Sequence, residues 1–192
     1  MTTLLLPPAP PGLALRPYQR EAAAAFDAGA ARGLRRMLVQ LPTGTGKTVL
    51  FAHEAHEAVA LGGRVLVIAH REELLDQARD KLLMADPSAD VGIVQAERDA
   101  PGAGIVVASI QTLARPTRLA RLTAAGRFAL VVVDEAHHAA APSYRAVLDE
   151  LGAFAPVGPL VLGVTATPGC GDGVGLHEIF EAIVFRMTIE EG

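Results

Sequence analysis

The sequence predicts an α/β domain in which helices cover both faces of a mainly parallel central sheet. Six short runs are almost continuously apolar, without alternation between apolar and polar residues. Strands buried on both faces, as in a parallel sheet, have this pattern. Segments of helical length separate the runs, and such an alternation is typical of doubly wound folds. The predicted strands span residues 36–41, 64–69, 91–95, 104–109, 128–133 and 159–164.

The predicted helices lie before and between these strands. An Ala-rich segment runs from Arg16 to Gly33, and glycine commonly follows a helix C-terminus. Three further segments, 47–60, 71–84 and 141–152, have the length and apolar spacing of helices. Together with the strands they predict one domain over residues 15–185.

Composition limits the functional classes. The 192 residues suffice for one domain with a proper core. A net charge of −4 and only 4% aromatic residues argue against a dedicated basic nucleic-acid-binding fold with many base-stacking side chains. Cys170 is the only cysteine, which excludes an internal disulfide and favours a reducing compartment, so we expect a cytoplasmic protein.

The first residues do not resemble a targeting signal. Residues 1–14 are rich in proline and lack the basic start of a signal peptide, so we expect a disordered tail. No apolar run is long enough to cross a bilayer, so we expect no association with a membrane.

A glycine-rich turn joins the first predicted strand to the helix at 47–60. Gly44 and Gly46 allow backbone N–H groups to converge on phosphate oxygens, and the helix N-terminus favours an anion. Lys47 can reach the β- and γ-phosphates of a nucleotide, and the Thr48 hydroxyl can bind Mg²⁺. The pattern departs from the general phosphate-binding loop at Leu41, where glycine is usual. The alternative is an ordinary glycine-rich turn before a helix.

Lysine usage supports a role for Lys47. Among the 17 basic residues only Lys47 and Lys81 are lysines, and all others are arginines. A compact ammonium suits a phosphate as a point charge better than a planar guanidinium does.

Two carboxylates follow the predicted strand 128–133. Asp134 and Glu135 come directly after an apolar run, at the carboxyl edge where the phosphate loop also lies. Asp134 can hold Mg²⁺, and Glu135 can orient and deprotonate an attacking water. This pair therefore predicts nucleotide hydrolysis. The alternative is two surface carboxylates at the start of a helix.

"DEAH" at 134–137, with "PTGTGKT" at 42–48, resembles a superfamily 2 helicase or translocase, specifically its first RecA-like P-loop NTPase domain. Four more segments resemble motifs of that group and occur along the chain in the group's order: "LRPYQREA" (15–22), "VLVIAHREELLDQ" (65–77), "VVASIQTLAR" (106–115) and "GVTATP" (163–168). The first segment and the "TATP…GDG" run resemble the branch with type III restriction-enzyme subunits, XPB-like helicases and RadD-like repair proteins.

The resemblance implies a role for each matching position. Gln19 would recognise adenine, with Arg16 near it. His137 would link the γ-phosphate site to Thr165 and Thr167, which couple hydrolysis to nucleic-acid binding. The nucleotide-binding set would be Arg16, Gln19, Thr43, Gly44, Thr45, Gly46, Lys47 and Thr48. The catalytic set would be Lys47, Glu135 and His137, the metal set Thr48 and Asp134, and the nucleic-acid set Arg71, Ser109 and Thr112.

By this resemblance the chain is the ATPase domain of a nucleic-acid-dependent helicase or translocase, with ATP and Mg²⁺ as cofactors and DNA favoured over RNA. An arginine from a second RecA-like domain would complete the site. We expect that domain in a longer protein, after a linker starting at 186–192, and weak or no turnover by this domain alone. The alternative is a non-hydrolysing ATP-binding module that docks on nucleic acid or a partner protein.

Two other patterns carry weaker expectations. The histidines of "HEAHE" (53–57) are three residues apart, whereas the zinc signature HExxH places them four apart, so we expect no metal there and a solvated position. Five arginines between 98 and 127 form either a solvated face or a nucleic-acid contact. Cys170 stands where the resemblance would place an arginine, and no base partner for a reactive thiol is apparent.

Overall fold

The computed structural model describes residues 14–166 and 175–187 and contains a single eight-stranded sheet within them. The strands are β1 (Arg36–Gln40), β2 (Val65–Ala69), β3 (Val91–Gln95), β4 (Arg98–Asp99), β5 (Ile105–Ser109), β6 (Leu130–Asp134), β7 (Leu160–Thr165) and β8 (Ala182–Arg186). The helices are α1 (Pro17–Ala31), α2 (Lys47–Ala60), α3 (Leu75–Ala85), α4 (Ile110–Leu113), α5 (Pro116–Ala124), α6 (Pro142–Glu150) and α7 (Leu176–Ile179). Short 3₁₀ turns lie at Glu72–Leu74 and Ala136–His138.

The sheet order is β4-β3-β5-β2-β6-β7-β1-β8. Every neighbouring pair is parallel except β3 and β4. The predicted fold class is therefore confirmed, and each of the six predicted strands is present, with its ends shifted by at most two residues.

The sequence analysis missed the two edge strands. β4 has only two residues, too few to show any periodicity. β8 covers the other edge, and its residues are half-buried or exposed, so its sequence lacks the pattern of a strand buried on both faces. Arg186, where the linker was expected to begin, is the last residue of β8.

Both faces of the sheet are packed by helices. Successive strand residues point to opposite faces, so Val132 joins one core cluster and Val131 the other. The first cluster packs against α1, α2 and α3, through residues such as Phe26 and Phe51. The second packs against α4, α5, α6 and α7, through residues such as Leu122 and Tyr144. This arrangement explains why the central strands are apolar at every position.

The parallel register aligns the carboxyl ends of the central strands. Gln40 pairs with Thr165, and Asp134 pairs with Val164. Ile68 of β2 pairs with Val133, so β2 ends beside the acidic pair. The carboxyl ends of β1, β2, β6 and β7 therefore lie at one edge of the sheet, where open parallel sheets bind ligands.

Several predictions concern residues outside 14–166 and 175–187. These are the proline-rich tail (all but its last residue), the coupling residue Thr167, and Cys170. Among the described residues, no helix combines the length and the apolar character needed to cross a membrane.

The two histidines of "HEAHE" are half-buried, so the expectation of a solvated position was wrong. His53 lies 3.3 Å from a Glu57 carboxylate oxygen, and His56 lies 2.8 Å from Asp86. Glu57 on α2 and Asp86, the residue that follows α3, hold them, because α3 packs beside α2.

The same helix carries an unusually buried carboxyl group, that of Glu54. It is only 5% exposed, and within the described residues its Oε1 atom has no hydrogen-bond partner. Burial, together with the nearby carboxylates of Asp27 and Glu57, raises the pKa of Glu54 to about 9. Glu54 is therefore protonated at neutral pH in the folded state.

We predict that Glu54→Gln removes a pH dependence of stability. The unfolded chain releases the Glu54 proton near its ordinary pKa of 4.5, whereas the folded chain keeps it until about pH 9. Stability is therefore lost as pH rises through this window, by up to about 1.4 kcal/mol per pH unit, and a glutamine cannot contribute to this loss. Urea denaturation at pH 6, 7 and 8 should show a growing advantage of the variant over the unaltered protein. Glu150→Gln, at an exposed position of α6, is the control, and a constant difference for Glu54→Gln would contradict the prediction.

Candidate active site

The phosphate loop has the backbone that its glycines predict. Gly44 has a φ of +82° and Gly46 a φ of +78°, values that residues with a side chain rarely adopt. Gly46 is the N-cap of α2, and Lys47 is its first residue. A Cβ atom at Gly46 would lie 2.7 Å from Nε2 of Gln19, so glycine is required there for two reasons.

Two side chains of α1 donate hydrogen bonds to backbone carbonyl oxygens of this loop. The Nε2 group of Gln19 donates to the carbonyl oxygens of Thr45 (2.8 Å) and Gly46 (3.2 Å). The Tyr18 hydroxyl donates to the Thr45 carbonyl at 2.8 Å. The Oε1 atom of Gln19 accepts the Arg16 backbone N–H at 2.8 Å. Gln19 is only 2% exposed, and both ends of its amide are bonded within the protein, Nε2 to the loop and Oε1 to the Arg16 backbone. Adenine recognition, which the resemblance implies for Gln19, stays a prediction.

Arg16 lies at the surface beside this cluster. Its guanidinium donates to the Tyr18 hydroxyl at 3.2 Å. Sequence analysis did not identify Tyr18, although it lies within the "LRPYQ" segment that carried the resemblance.

The acidic pair lies at the same edge, at the end of β6. Asp134 is the last residue of the strand, and its Oδ1 atom accepts the Glu135 backbone N–H at 2.9 Å. Burial raises the pKa of Asp134, while this N–H and the charge of Lys47 act in the opposite direction. Glu135 has a φ of +49°, one of two such non-glycine positions in the described chain. That rare conformation turns its carboxylate toward the phosphate loop.

Lys47 and Glu135 form an ion pair at 3.4 Å. The Lys47 side chain is 12% exposed and the Glu135 side chain 36% exposed, so the lysine is held in a confined position while the carboxylate faces solvent. The pair brings the predicted phosphate ligand and the predicted general base together.

A cavity of about 550 Å³ contains the predicted site. Seven predicted residues line it: Thr43, Gly44, Gly46, Lys47, Thr48, Asp134 and Glu135. Val49 and three residues of α3, Lys81, Met84 and Ala85, complete the wall. The chain's two lysines therefore lie at one cavity. The lysine usage noted above could have identified Lys81, but nothing local connects it to the phosphate loop.

The donor atoms of this cavity fit Mg·ATP. Mg²⁺ prefers oxygen ligands such as a carboxylate and a hydroxyl, which Asp134 and Thr48 offer. Backbone N–H groups, a helix N-terminus and Lys47 suit the triphosphate.

His137 and the predicted coupling residue Thr165 lie beside the acidic pair. The Nδ1 atom of His137 lies 3.1 Å from the Thr165 hydroxyl and 3.4 Å from Oε2 of Glu135. Thr165 is fully buried at the end of β7. This contact joins the ends of β6 and β7, as the resemblance implies for His137.

The predicted nucleic-acid residues divide into two groups. Arg71 is exposed at the end of β2. Ser109 and Thr112 are buried: Oγ of Ser109 accepts the Thr112 backbone N–H at 3.1 Å and caps α4, and the two hydroxyls are 3.0 Å apart. Their side chains therefore hold the start of α4 and do not face solvent.

Three arginines of the 98–127 region are paired with acids. Arg98 contacts Asp76 at 2.5 Å, and Arg118 and Arg121 contact Asp99 at 3.7 Å and 2.6 Å. These pairs favour the solvated-face interpretation for those three positions.

Comparison with known proteins agrees with this geometry. The family described as "Type III restriction enzyme, res subunit" matches residues 12–169. The putative mitochondrial ATP-dependent helicase irc3 of Schizosaccharomyces pombe is 36% identical over 179 residues. That alignment covers 91% of this chain and 29% of the relative, so the chain spans less than a third of the relative's length.

Solved structures share the fold. The Pyrococcus furiosus Hef helicase domain superposes with a TM-score of 0.66 and 26% identity, over 87% of this chain and 38% of that one. The Sulfolobus solfataricus SWI2/SNF2 ATPase core in complex with dsDNA gives a TM-score of 0.65 at 18% identity, over 86% and 35% of the two chains. The expected likeness to the first RecA-like domain of superfamily 2 helicases is confirmed.

We predict that Gln19→Ala destabilises the protein and loosens the phosphate loop. The change leaves two loop carbonyls without this donor and should cost about 1–3 kcal/mol of unfolding free energy. Urea denaturation measures the loss, and titration with a fluorescent ATP analogue measures the accompanying fall in affinity. Gln77→Ala, at an exposed position of α3, is the control and should change neither quantity.

We predict that Lys81→Gln weakens nucleotide binding about two- to fivefold, because a partly solvated charge contributes modestly. The effect should shrink as salt is added, since mobile ions screen such a charge. Isothermal titration at two salt concentrations tests this. Arg79→Gln, on the same helix but outside the cavity wall, is the control, and an equal loss in both variants would contradict the prediction.

Proposed function

This chain belongs to the type III restriction enzyme res subunit family, and from that premise we propose that it is the ATP-hydrolysing domain of a nucleic-acid-dependent helicase or translocase. One observation carries the proposal. Lys47, Thr48, Asp134 and Glu135 line a single cavity, and the Lys47 ammonium lies 3.4 Å from the Glu135 carboxylate. In this proposal Lys47 is the phosphate ligand and Glu135 the general base of one site.

Nucleotide binding would rearrange the Lys47–Glu135 pair. The loop N–H groups and the α2 N-terminus would hold the β- and γ-phosphates, and the γ-phosphate would compete with Glu135 for the Lys47 ammonium. Asp134 and Thr48 would hold Mg²⁺, which when bound neutralises charge on the phosphates. Lys47 would then leave Glu135, and the carboxylate would be free to accept a proton.

Glu135 then serves as the general base. It accepts a proton from a water molecule as the water oxygen attacks the γ-phosphorus and the bond to the β-phosphate oxygen breaks. His137, 3.4 Å from Glu135, orients the carboxylate and connects it to Thr165. Arg16, at the surface beside Tyr18, would lie near the adenine ring, and Gln19 would act by holding the loop.

Arg71 would contact the phosphate backbone of the nucleic acid, because it is exposed at the same edge of the sheet. Ser109 and Thr112 would support this contact from beneath by fixing the start of α4. DNA is favoured over RNA because the quoted segments resemble DNA-directed members of the group. Phosphate contacts position a strand without reading its sequence, so few base-stacking aromatics are needed.

A positive charge from outside the chain would complete the site. In related nucleotide hydrolases an arginine supplied by a second domain or subunit increases turnover about 10³–10⁵-fold. We propose that a second RecA-like domain supplies it here, with slow turnover by the 192 residues alone. The cytoplasmic location stays a prediction, since the irc3 relative is named a mitochondrial helicase.

A non-hydrolysing nucleotide-binding module is the alternative. Glu135 argues against it, because a module that only binds has no need of a carboxylate directed at the phosphate site.

We predict that Glu135→Gln lowers ATP turnover about 10²–10⁴-fold while ATP binding is retained, because only the proton acceptor is removed. Turnover is measured by phosphate release and binding by titration, with Lys47→Ala as the control that must weaken binding. Each variant is measured without nucleic acid and with single-stranded DNA, duplex DNA or RNA. Equal, negligible turnover in the unaltered protein and in Glu135→Gln under every condition would favour the binding module or a motor domain that needs its second RecA-like domain.

A further inference from the structure

Two histidines from neighbouring strand ends stack on each other. His70 directly follows β2, and His138 ends the 3₁₀ turn after β6. Their ring centroids are 3.7 Å apart and their planes differ by 12°. β2 and β6 are adjacent in the sheet, so this contact bridges the loops above them. No role in nucleotide chemistry has been assigned to either ring above.

On one side the stack reaches the candidate catalytic residues. The His138 ring lies 4.0 Å from the His137 ring, at a tilt of 42°. His137 contacts Glu135 at 3.4 Å and Thr165 at 3.1 Å. A movement of Glu135 or His137 on nucleotide binding therefore changes the surface against which His138 packs.

On the other side the stack reaches the segment proposed to contact nucleic acid. His70 immediately precedes Arg71. The His70 carbonyl oxygen accepts a hydrogen bond from Nε2 of Gln111 at 2.9 Å, which ties this segment to α4. A displacement of Arg71 by a bound strand therefore moves the His70 backbone and its ring.

Packing, more than hydrogen bonding, orients the His70 ring. Its Nδ1 atom is buried and, in the part of the chain that the structure describes, has no hydrogen-bond partner. A cavity of about 260 Å³, lined by both histidines, Gln111 and Tyr144, lies beside the stack and gives the rings room to shift. Burial, the Arg71 charge and the His137 charge lower the pKa of His70, and burial and His137 lower that of His138, so both rings are neutral at neutral pH.

We propose that the His70–His138 stack couples nucleotide binding at the Lys47–Glu135 site to nucleic-acid binding at the Arg71 segment. The inference rests on the proposed function and adds the contact through which the two ligands affect each other. His70 and His138 are positioning residues, because they act through Arg71 on one side and through His137 on the other. The contact between His137 and Thr165 is a separate connection, toward β7.

The test is a measurement of thermodynamic coupling. A fluorescent ATP analogue with Mg²⁺ is titrated into the chain without nucleic acid and with saturating single-stranded DNA, duplex DNA or RNA. The ratio of the two dissociation constants is the coupling factor, and by linkage the nucleotide must change nucleic-acid affinity by the same factor. The ratio is measured for the unaltered chain, His70→Ala, His138→Ala, the double variant and His138→Phe. His177→Ala, an exposed position on α7, is the control.

We expect His138→Ala to bring the coupling factor at least about twofold closer to one. Nucleotide affinity without nucleic acid should stay within about twofold of that of the unaltered chain, because neither ring lines the nucleotide cavity. His138→Phe should restore the coupling, since a phenyl ring can stack in the same place. The double variant should lose no more coupling than either single variant, because both changes break the same contact.

Three outcomes would overturn the inference. The first is an unchanged coupling factor in His138→Ala, and the second is an equal loss in His177→Ala. The third is a coupling factor of one in the unaltered chain, which leaves the proposed nucleotide site intact if Lys47→Ala weakens binding. If the unaltered chain does not bind nucleotide, or if Lys47→Ala binds it equally well, the proposed function fails and the inference fails with it.

Discussion

The parallel hydrogen-bond register of five neighbouring strands is the constraint on which the site depends. β5, β2, β6, β7 and β1 lie side by side and all end at the same edge. Each strand end contributes one part: the Ser109 cap, His70 with Arg71, the acidic pair, Thr165, and the phosphate loop. Strand order therefore decides which parts touch, and a change of order would separate them without altering any local segment.

Several polar side chains at this edge are paired with one another. Burying charged or polar groups without partners is costly, and the sheet edge is only partly open to water. Lys47 pairs with Glu135, and His137 contacts both Glu135 and Thr165. The Gln19 amide donates hydrogen bonds to carbonyl oxygens of the phosphate loop. A ligand must replace some of these contacts. A ligand bound at one point would therefore also displace neighbouring side chains, because Glu135 and His137 each contact more than one partner there.

The position of β2 brings the loop that follows it between two parts of this edge. β2 lies between β5 and β6, so the loop after it touches both the Ser109 side and the acidic side. The His70–His138 stack links that loop to the acidic side, and the hydrogen bond from Gln111 to the His70 carbonyl oxygen links it to the Ser109 side. Both contacts follow from the adjacency of the strands, and they are the contacts on which the proposed coupling depends.

The sequence by itself determined the buried strands, the phosphate loop and the Asp134–Glu135 pair, because each depends on a continuous local pattern of residues. Only the tertiary structure decided that Gln19 binds the phosphate loop and that Lys81 lines the cavity. It also decided that Ser109 and Thr112 are buried and that the Glu54 carboxyl is neutral. The edge strand β8 also belongs to this group, since half-buried residues carry little periodicity. The physical reason is common to all of them. Burial and hydrogen-bond partners depend on which segments become neighbours, and in this chain those neighbours are set by the order of the strands in the sheet.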